Sequence, residues 1–136
     1  MKSISLLPNI LAKQKAVEKA AYEALLVRNG FVTEGSHSNF FCVKNNTVIT
    51  PPISNEILPG ITRKVVLEMC RQLKIKTNER KVNELDSCSE LFLTSTTSEI
   101  KPITQIEERK LNGPGKITSS LISEFRKLVR NELKTN

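Results

Sequence analysis

The sequence predicts an α+β domain, with a largely antiparallel or mixed sheet and helices packed outside it. Three observations predict this class. Asn29-Gly30 and Asn45-Asn46 each sit between β-rich runs, which is how tight hairpins are written. Two apolar runs, Phe40-Phe41-Cys42-Val43 and Leu91-Phe92-Leu93, are too short for helices and read as buried strands. Two later segments instead carry apolar residues at helical spacing.

Taken in order, Asn9 to Ala21 (NILAKQKAVEKAA) follows Pro8 and is rich in Ala and Lys, with Ile10, Leu11, Val17 and Ala20 at helical intervals and Asn9 as N-cap. Tyr22 to Arg28 is read as a strand turning at Asn29-Gly30 into Phe31-Val32-Thr33. Asn39 to Lys44 and Thr47 to Thr50 form a second hairpin, because Asn45-Asn46 tolerate the positive φ of its turn. Pro51-Pro52 ends that strand. Gly60-Ile61-Thr62 opens an amphipathic helix whose apolar side is Ile61, Val65, Val66, Met69, Cys70 and Leu73. Lys76 to Arg80 reads as a short strand, Val82 to Ser89 as a short helix or turn, Glu90 to Ser95 as a buried strand and Ile103 to Ile106 as another. Gly113-Pro114-Gly115 is a break. A last helix is expected from about Ile117 to Leu133, with Ile117, Leu121, Ile122, Phe125, Leu128 and Val129 facing inward.

Length and composition bound the function. At 136 residues one domain is expected, large enough to bury roughly two thirds of its unfolded surface. No apolar run approaches the ~20 residues of a membrane span, and the start has no signal-peptide core, so a cytoplasmic protein with no membrane partner is expected. Cys42, Cys70 and Cys88 are odd in number and far apart, without a CxxC pair and with His37 as the sole histidine. Three reduced, mostly buried thiols are expected, and no metal site. The net charge of +7 is spread among interleaved acids, and five Phe, one Tyr and no Trp leave little material for stacking bases. A nucleic-acid partner is not expected; anionic small molecules suit the charge as well.

Four segments could carry chemistry. Glu34-Gly35-Ser36-His37-Ser38-Asn39 is a polar cluster between two strands, the composition of an ordinary solvated loop. Pro59-Gly60-Ile61-Thr62-Arg63 begins a helix, where free amides and the helix dipole favour an anion, although most helix starts hold only water. Thr94-Ser95-Thr96-Thr97-Ser98-Glu99 gathers hydroxyls at the end of an apolar strand, which suits phosphate contacts and also suits a plain turn. Lys2-Ser3-Ile4-Ser5 places a lysine at the chain start, where lysines are usually solvated.

These segments together resemble the class IV aminotransferases that use pyridoxal 5′-phosphate (PLP). The resemblance rests on KSISLLPNILAKQ (2–14), VTEGSHSNFFCV (32–43), TPPISNEILPGITR (50–63) and ELFLTSTTSEIKPI (90–103), in the family's order and spacing. It implies that the chain, residues 1–136, is the C-terminal PLP-binding domain of such an enzyme, without the N-terminal domain. It puts the internal aldimine on Lys2, whose amine would also carry the proton shift of transamination. Glu34 would pair with the pyridine nitrogen and keep it protonated, so that the ring can accept electrons. Leu58 would pack on the ring; Gly60, Ile61 and Thr62 would offer the helix start to the phosphate; Thr96 and Thr97 would complete its cup. Ser36, Ser38 and Asn39 would brace Glu34 and the cofactor. His37 replaces a small residue of the pattern and is expected to be a surface side chain without a role.

The implied reaction moves an amino group from an amino acid, D-alanine or similar, to a 2-oxo acid. A 4-amino-4-deoxychorismate lyase, which shares the family and its lysine, or a branched-chain aminotransferase of the same family is the alternative, and a non-catalytic truncated domain is the third reading. The family's N-terminal half supplies a phosphate arginine and the substrate carboxylate's partners, so little or no turnover is expected of this polypeptide alone. A homodimer is expected from the resemblance.

Overall fold

The computed structural model describes residues 4–6, 23–28, 30–35, 38–54, 57, 59–83, 85–106, 109–111 and 114–135. The helix expected over residues 9–21 lies outside them. The elements are β1 (Ile4–Leu6), β2 (Glu23–Arg28), β3 (Phe31–Gly35), β4 (Ser38–Lys44), β5 (Thr47–Thr50), α1 (Ile61–Gln72), β6 (Lys76–Glu79), a 3₁₀ turn (Leu85–Ser87), β7 (Glu90–Ser95), β8 (Glu99–Pro102), β9 (Gln105–Ile106), β10 (Arg109–Lys110) and α2 (Lys116–Thr135). All ten strands join one mixed sheet, as the α+β reading expected.

Strand β4 is the hub. Its first residues pair with β3 and its last with β5, so these two share one edge, while β7 pairs along residues 39–43 on the other. Residues on β4 and β7 therefore alternate between two cores. Phe40, Cys42, Leu91 and Leu93 join Leu25, Val32 and Ile103 on one face. Phe41, Val43 and Phe92 join Val66, Met69, Cys70 and Leu121 under the helices. Burial on both faces explains why FFCV and LFL read as unbroken apolar runs rather than as alternating strands. Phe41 and Phe92 stack across the strand pair with ring centroids 4.9 Å apart. Each such buried side chain contributes roughly 1.5–3 kcal/mol relative to exposure.

Both expected hairpins form. Gly30 has φ 81°, and Asn45 and Asn46 have φ 52° and 59°, the paired left-handed geometry of a two-residue hairpin turn closed by Lys44↔Thr47. Helix α1 ends in a Schellman arrangement: Ile75 N donates to Cys70 O at 2.8 Å and Lys74 N to Arg71 O at 3.2 Å, with Lys74 at φ 60°. All three cysteines are free and buried.

Several expectations need correction. Ile61 is 77% exposed although it falls on the apolar side of the helical pattern, while the polar Thr62 and Arg63 beside it are buried. Leu73 closes the helix as its C-cap and is also exposed, and Leu128 is 41% exposed on the outer half of α2. The strand expected from Ile103 begins at Gln105, and the sheet instead gains β8 just before it. Short strands β1 and β10 were not expected at all; each is two or three residues long and held only by its neighbours.

Candidate functional site

The candidate residues gather at one end of the sheet because β1, β2 and β4 begin there and β3 and β7 end there. The first residue of β1 is opposite the first of β2, Ile4↔Glu23, and β2 runs antiparallel to β3, so that end also receives the β3–β4 hairpin. There Glu34 faces Asn39 and Gly35 faces Ser38. On the other edge of β4, Asn39 faces Thr94 of β7. A row Glu34–Asn39–Thr94 thus crosses three adjacent strands. Opposed residues in antiparallel strands lie close together on one face, so this row is a consequence of register.

Helix α1 starts against the same row. Asn39 is buried, and a Cβ placed on Gly60 would run into its Oδ1. Glycine is needed at that position for close approach rather than for unusual backbone angles, since φ there is −69°. Thr62, also buried, donates its hydroxyl to Ser95 O at 3.1 Å, which ties the helix start to the end of β7. The next residues, Thr96 and Thr97, are exposed on the β7–β8 turn, which Ser98 N closes with a 3.0 Å bond to Ser95 Oγ.

Electrostatics leave this helix start open. Gly60 at the N-cap supplies no side-chain bond, and no acidic residue lies in the first turn. Neither the N-cap residue nor a first-turn carboxylate therefore answers the first amides and the positive end of the helix dipole. Thr94 is 1% exposed, and its hydroxyl has no hydrogen-bond partner among the described residues. Such orphans cost free energy unless something else bonds to them.

Of the sequence-derived site residues, the structure brings together Glu34, Ser38, Asn39, Gly60, Ile61, Thr62, Thr96 and Thr97. Glu34 and Ser38 are half-buried, each with polar contacts of its own. Lys2, Ser36, His37 and Leu58 lie outside the described residues; β1, into which Lys2 leads, starts at this end of the sheet. Sequence reasoning included Thr94 and Arg63 in its candidate segments but gave neither a role. Arg63 had a legible signal: a cation in the first turn of a helix opposes the dipole and needs another reason to be there. An open groove bordered by Glu99, Ser119, Ile122 and Arg126 runs along α2 and takes none of these residues.

Known proteins bear on this arrangement. The chain is 39% identical over 136 aligned residues to the D-alanine aminotransferase of Bacillus licheniformis, covering 97% of this chain and 48% of the relative. It is 39% identical to the D-alanine aminotransferase of Staphylococcus epidermidis over 96% of this chain and 48% of that one. The branched-chain aminotransferase of Thermoproteus uzoniensis, solved with norvaline, superposes with a TM-score of 0.83 at 35% identity, covering 88% of this chain and 41% of its own. A second branched-chain amino acid aminotransferase, from T.th. and solved with pyridoxamine 5′-phosphate, gives 0.79 at 27% identity, covering 88% and 48%. The chain spans about half the length of the curated relatives it matches. The family pattern described as amino-transferase class IV covers residues 1–106, and with these relatives it establishes that the chain belongs to the class IV aminotransferases.

Proposed function

We propose that this chain is the cofactor-binding, C-terminal part of a PLP-dependent aminotransferase that moves the amino group of D-alanine or a similar amino acid to a 2-oxo acid. The observation that carries the reading is the uncapped start of α1 set against the Glu34–Asn39–Thr94 row. The residues suit a phosphorylated ring cofactor. The amides of Ile61 and Thr62 at the helix start match a phosphate, a glycine keeps the approach open, and the Thr94 hydroxyl nearby has no partner among the described residues.

When bound, PLP supplies an electron-accepting ring that weakens the bond between the substrate Cα and its hydrogen. The chain's residues do the rest. The Ile61 and Thr62 amides would hold the phosphate, with Thr96 and Thr97 completing its cup. The Glu34 carboxylate would pair with the ring nitrogen, with Asn39, Ser38 and Ser36 bracing that carboxylate. Leu58 would pack on the ring. Lys2 would be the residue that holds the cofactor, and its Nζ, when free, would be the group that moves the proton at the substrate Cα. One group must act as base and then acid, which requires the amine to be neutral at working pH.

Mixing the chain with PLP, with and without a complementing N-terminal half, tests this. A visible absorbance band of bound cofactor is expected that disappears in Lys2→Ala, and its absence from the complemented pair would defeat the assignment. Sequence favours D-alanine, at 39% identity, while the solved neighbour at 35% is a branched-chain enzyme. Rates of amino transfer from D-alanine and from L-leucine by the complemented pair decide between them. Pyruvate release without an amino acceptor would favour the lyase. Alone, the chain is expected to turn over little, because misplacement by about 1 Å already costs ~100-fold.

A further inference from the structure

Arg63 takes no part in the reading above, yet among the described residues it is the charged side chain that is fully buried, at 3% exposure. Its Nη2 donates to Pro51 O at 3.1 Å and to Glu79 Oε1 at 2.6 Å. Pro51 directly follows β5, and Glu79 ends β6 opposite Thr50. The guanidinium therefore bridges two neighbouring strand ends from the first turn of α1. Thr50 Oγ1 in turn donates to Phe40 O at 2.7 Å, which fixes that corner to β4. The helix start is thus mounted at three points, all referred to β4 or β7: Gly60 on Asn39, Thr62 on Ser95, and Arg63 on the β5–β6 corner.

Stability alone is a poor reason for this arrangement. A buried ion pair is often no better than apolar residues of similar volume. Arg63 also leaves its Nε buried without an acceptor among the described residues, and its charge opposes the helix dipole. We infer that Arg63, held by Glu79, is a positioning residue: it sets where the Ile61 and Thr62 amides stand and so fixes the phosphate-binding power of α1. This rests on the proposed phosphate role of the α1 start. A direct electrostatic role for the guanidinium makes the opposite forecast for its partner. If Arg63 worked by charge, removing the negative Glu79 would strengthen phosphate binding; if it works by position, releasing Arg63 weakens it.

The test is inorganic phosphate affinity, read from the NMR shifts of the Ile61 and Thr62 amides in the full chain. Glu79→Gln, at a half-exposed side chain, is expected to weaken binding roughly tenfold, inside the ~100-fold range of a misplacement near 1 Å. Arg63→Met is expected to do the same while melting within a few degrees of the parent, and Arg63→Lys to recover part of the loss. Affinity for PLP should fall in both variants, whereas affinity for pyridoxal, which lacks the phosphate, should not. Unchanged or tighter phosphate binding in Glu79→Gln overturns the inference, as does a parent chain whose Ile61 and Thr62 amides ignore phosphate. Phosphate shifts without a Lys2-dependent cofactor band would instead sink the aminotransferase reading and leave the positioning role of Arg63 standing.

Discussion

Two helices in this molecule begin with nearly the same words and end up with different neighbours. Helix α1 follows Pro59-Gly60 and continues Ile61-Thr62; α2 follows Pro114-Gly115 and, after Lys116, continues Ile117-Thr118. At α2 the anion comes from within: the Glu90 carboxylate reaches over from β7 and accepts from Ile117 N at 3.3 Å and Thr118 N at 2.7 Å. Gly115 leaves room for it, since a Cβ there would collide with that carboxylate's carbons. At α1 the corresponding glycine lies against Asn39, an uncharged amide, and no acidic residue lies in the first turn. The same electrostatic demand is met by a carboxylate at one helix and, among the described residues, not by the N-cap or a first-turn acid at the other. A helix start becomes a site only when the fold withholds the carboxylate that would otherwise fill it.

The strongest way to break this comparison is to damage both glycines. Gly60→Ala should push Asn39 and the helix apart and lower affinity for inorganic phosphate by ~100-fold, a misplacement effect. Gly115→Ala should leave phosphate affinity alone and instead cost about 1–3 kcal/mol of stability through overpacking, as chemical denaturation would measure. Equal effects on phosphate at the two sites would erase the distinction.

Next in size is a pH effect on the flank by which α1 is held. Burial pushes the Cys70 thiol from an ordinary 9.0 up to about 11. A raised folded-state value means the contribution is fully present below pH 9 and is lost as pH climbs through 11, since the unfolded chain releases the proton first. Stability should therefore drop by on the order of 2 kcal/mol over that window, and Cys70→Ala should flatten the slope in a pH series of melts.

Glu90→Ala removes the internal anion at α2. It should cost about 0.5–2 kcal/mol, the range for a lost cap, and hydrogen exchange at Ile117 and Thr118 should accelerate while Ile61 and Thr62 keep their rates. The smallest effect is expected at the other end of α1. Lys74→Gly relieves a side chain held at φ 60° and should stabilise by about 1 kcal/mol, seen as a slightly higher melting temperature.

Much of the fold was legible because local chemistry decided it. Asn45-Asn46 fixed a turn and thereby the register of β4 on β5, and the apolar runs announced strands, whose burial on two faces the structure adds. The misses share a cause: they depend on partners distant in sequence. Glu99 adopts φ 57° without being a glycine, so the hydroxyl-rich segment that suits a turn gave no sign that a strand would start at its end. Ile61 obeyed the helical period yet faces outward, because periodicity does not say where the core ends.

The site was legible in a different way. The roles of its residues came from the resemblance, whereas elementary physics reached the helix start and the hydroxyl segment at 94–99, and reached α1 without noticing that α2 had the same form. Nothing near Gly115 reveals that Glu90, on another strand, answers its amides. Thr94 was visible only as one hydroxyl of its segment, and its pairing with Asn39 is what brings it to the row.

Titrating the isotopically labelled chain with PLP while following backbone amides tests the central claim most directly. The Ile61 and Thr62 amides should shift together and saturate, while Ile117 and Thr118, already bonded to Glu90, stay still. Shifts confined to the start of α2, or none at either helix, would contradict the account.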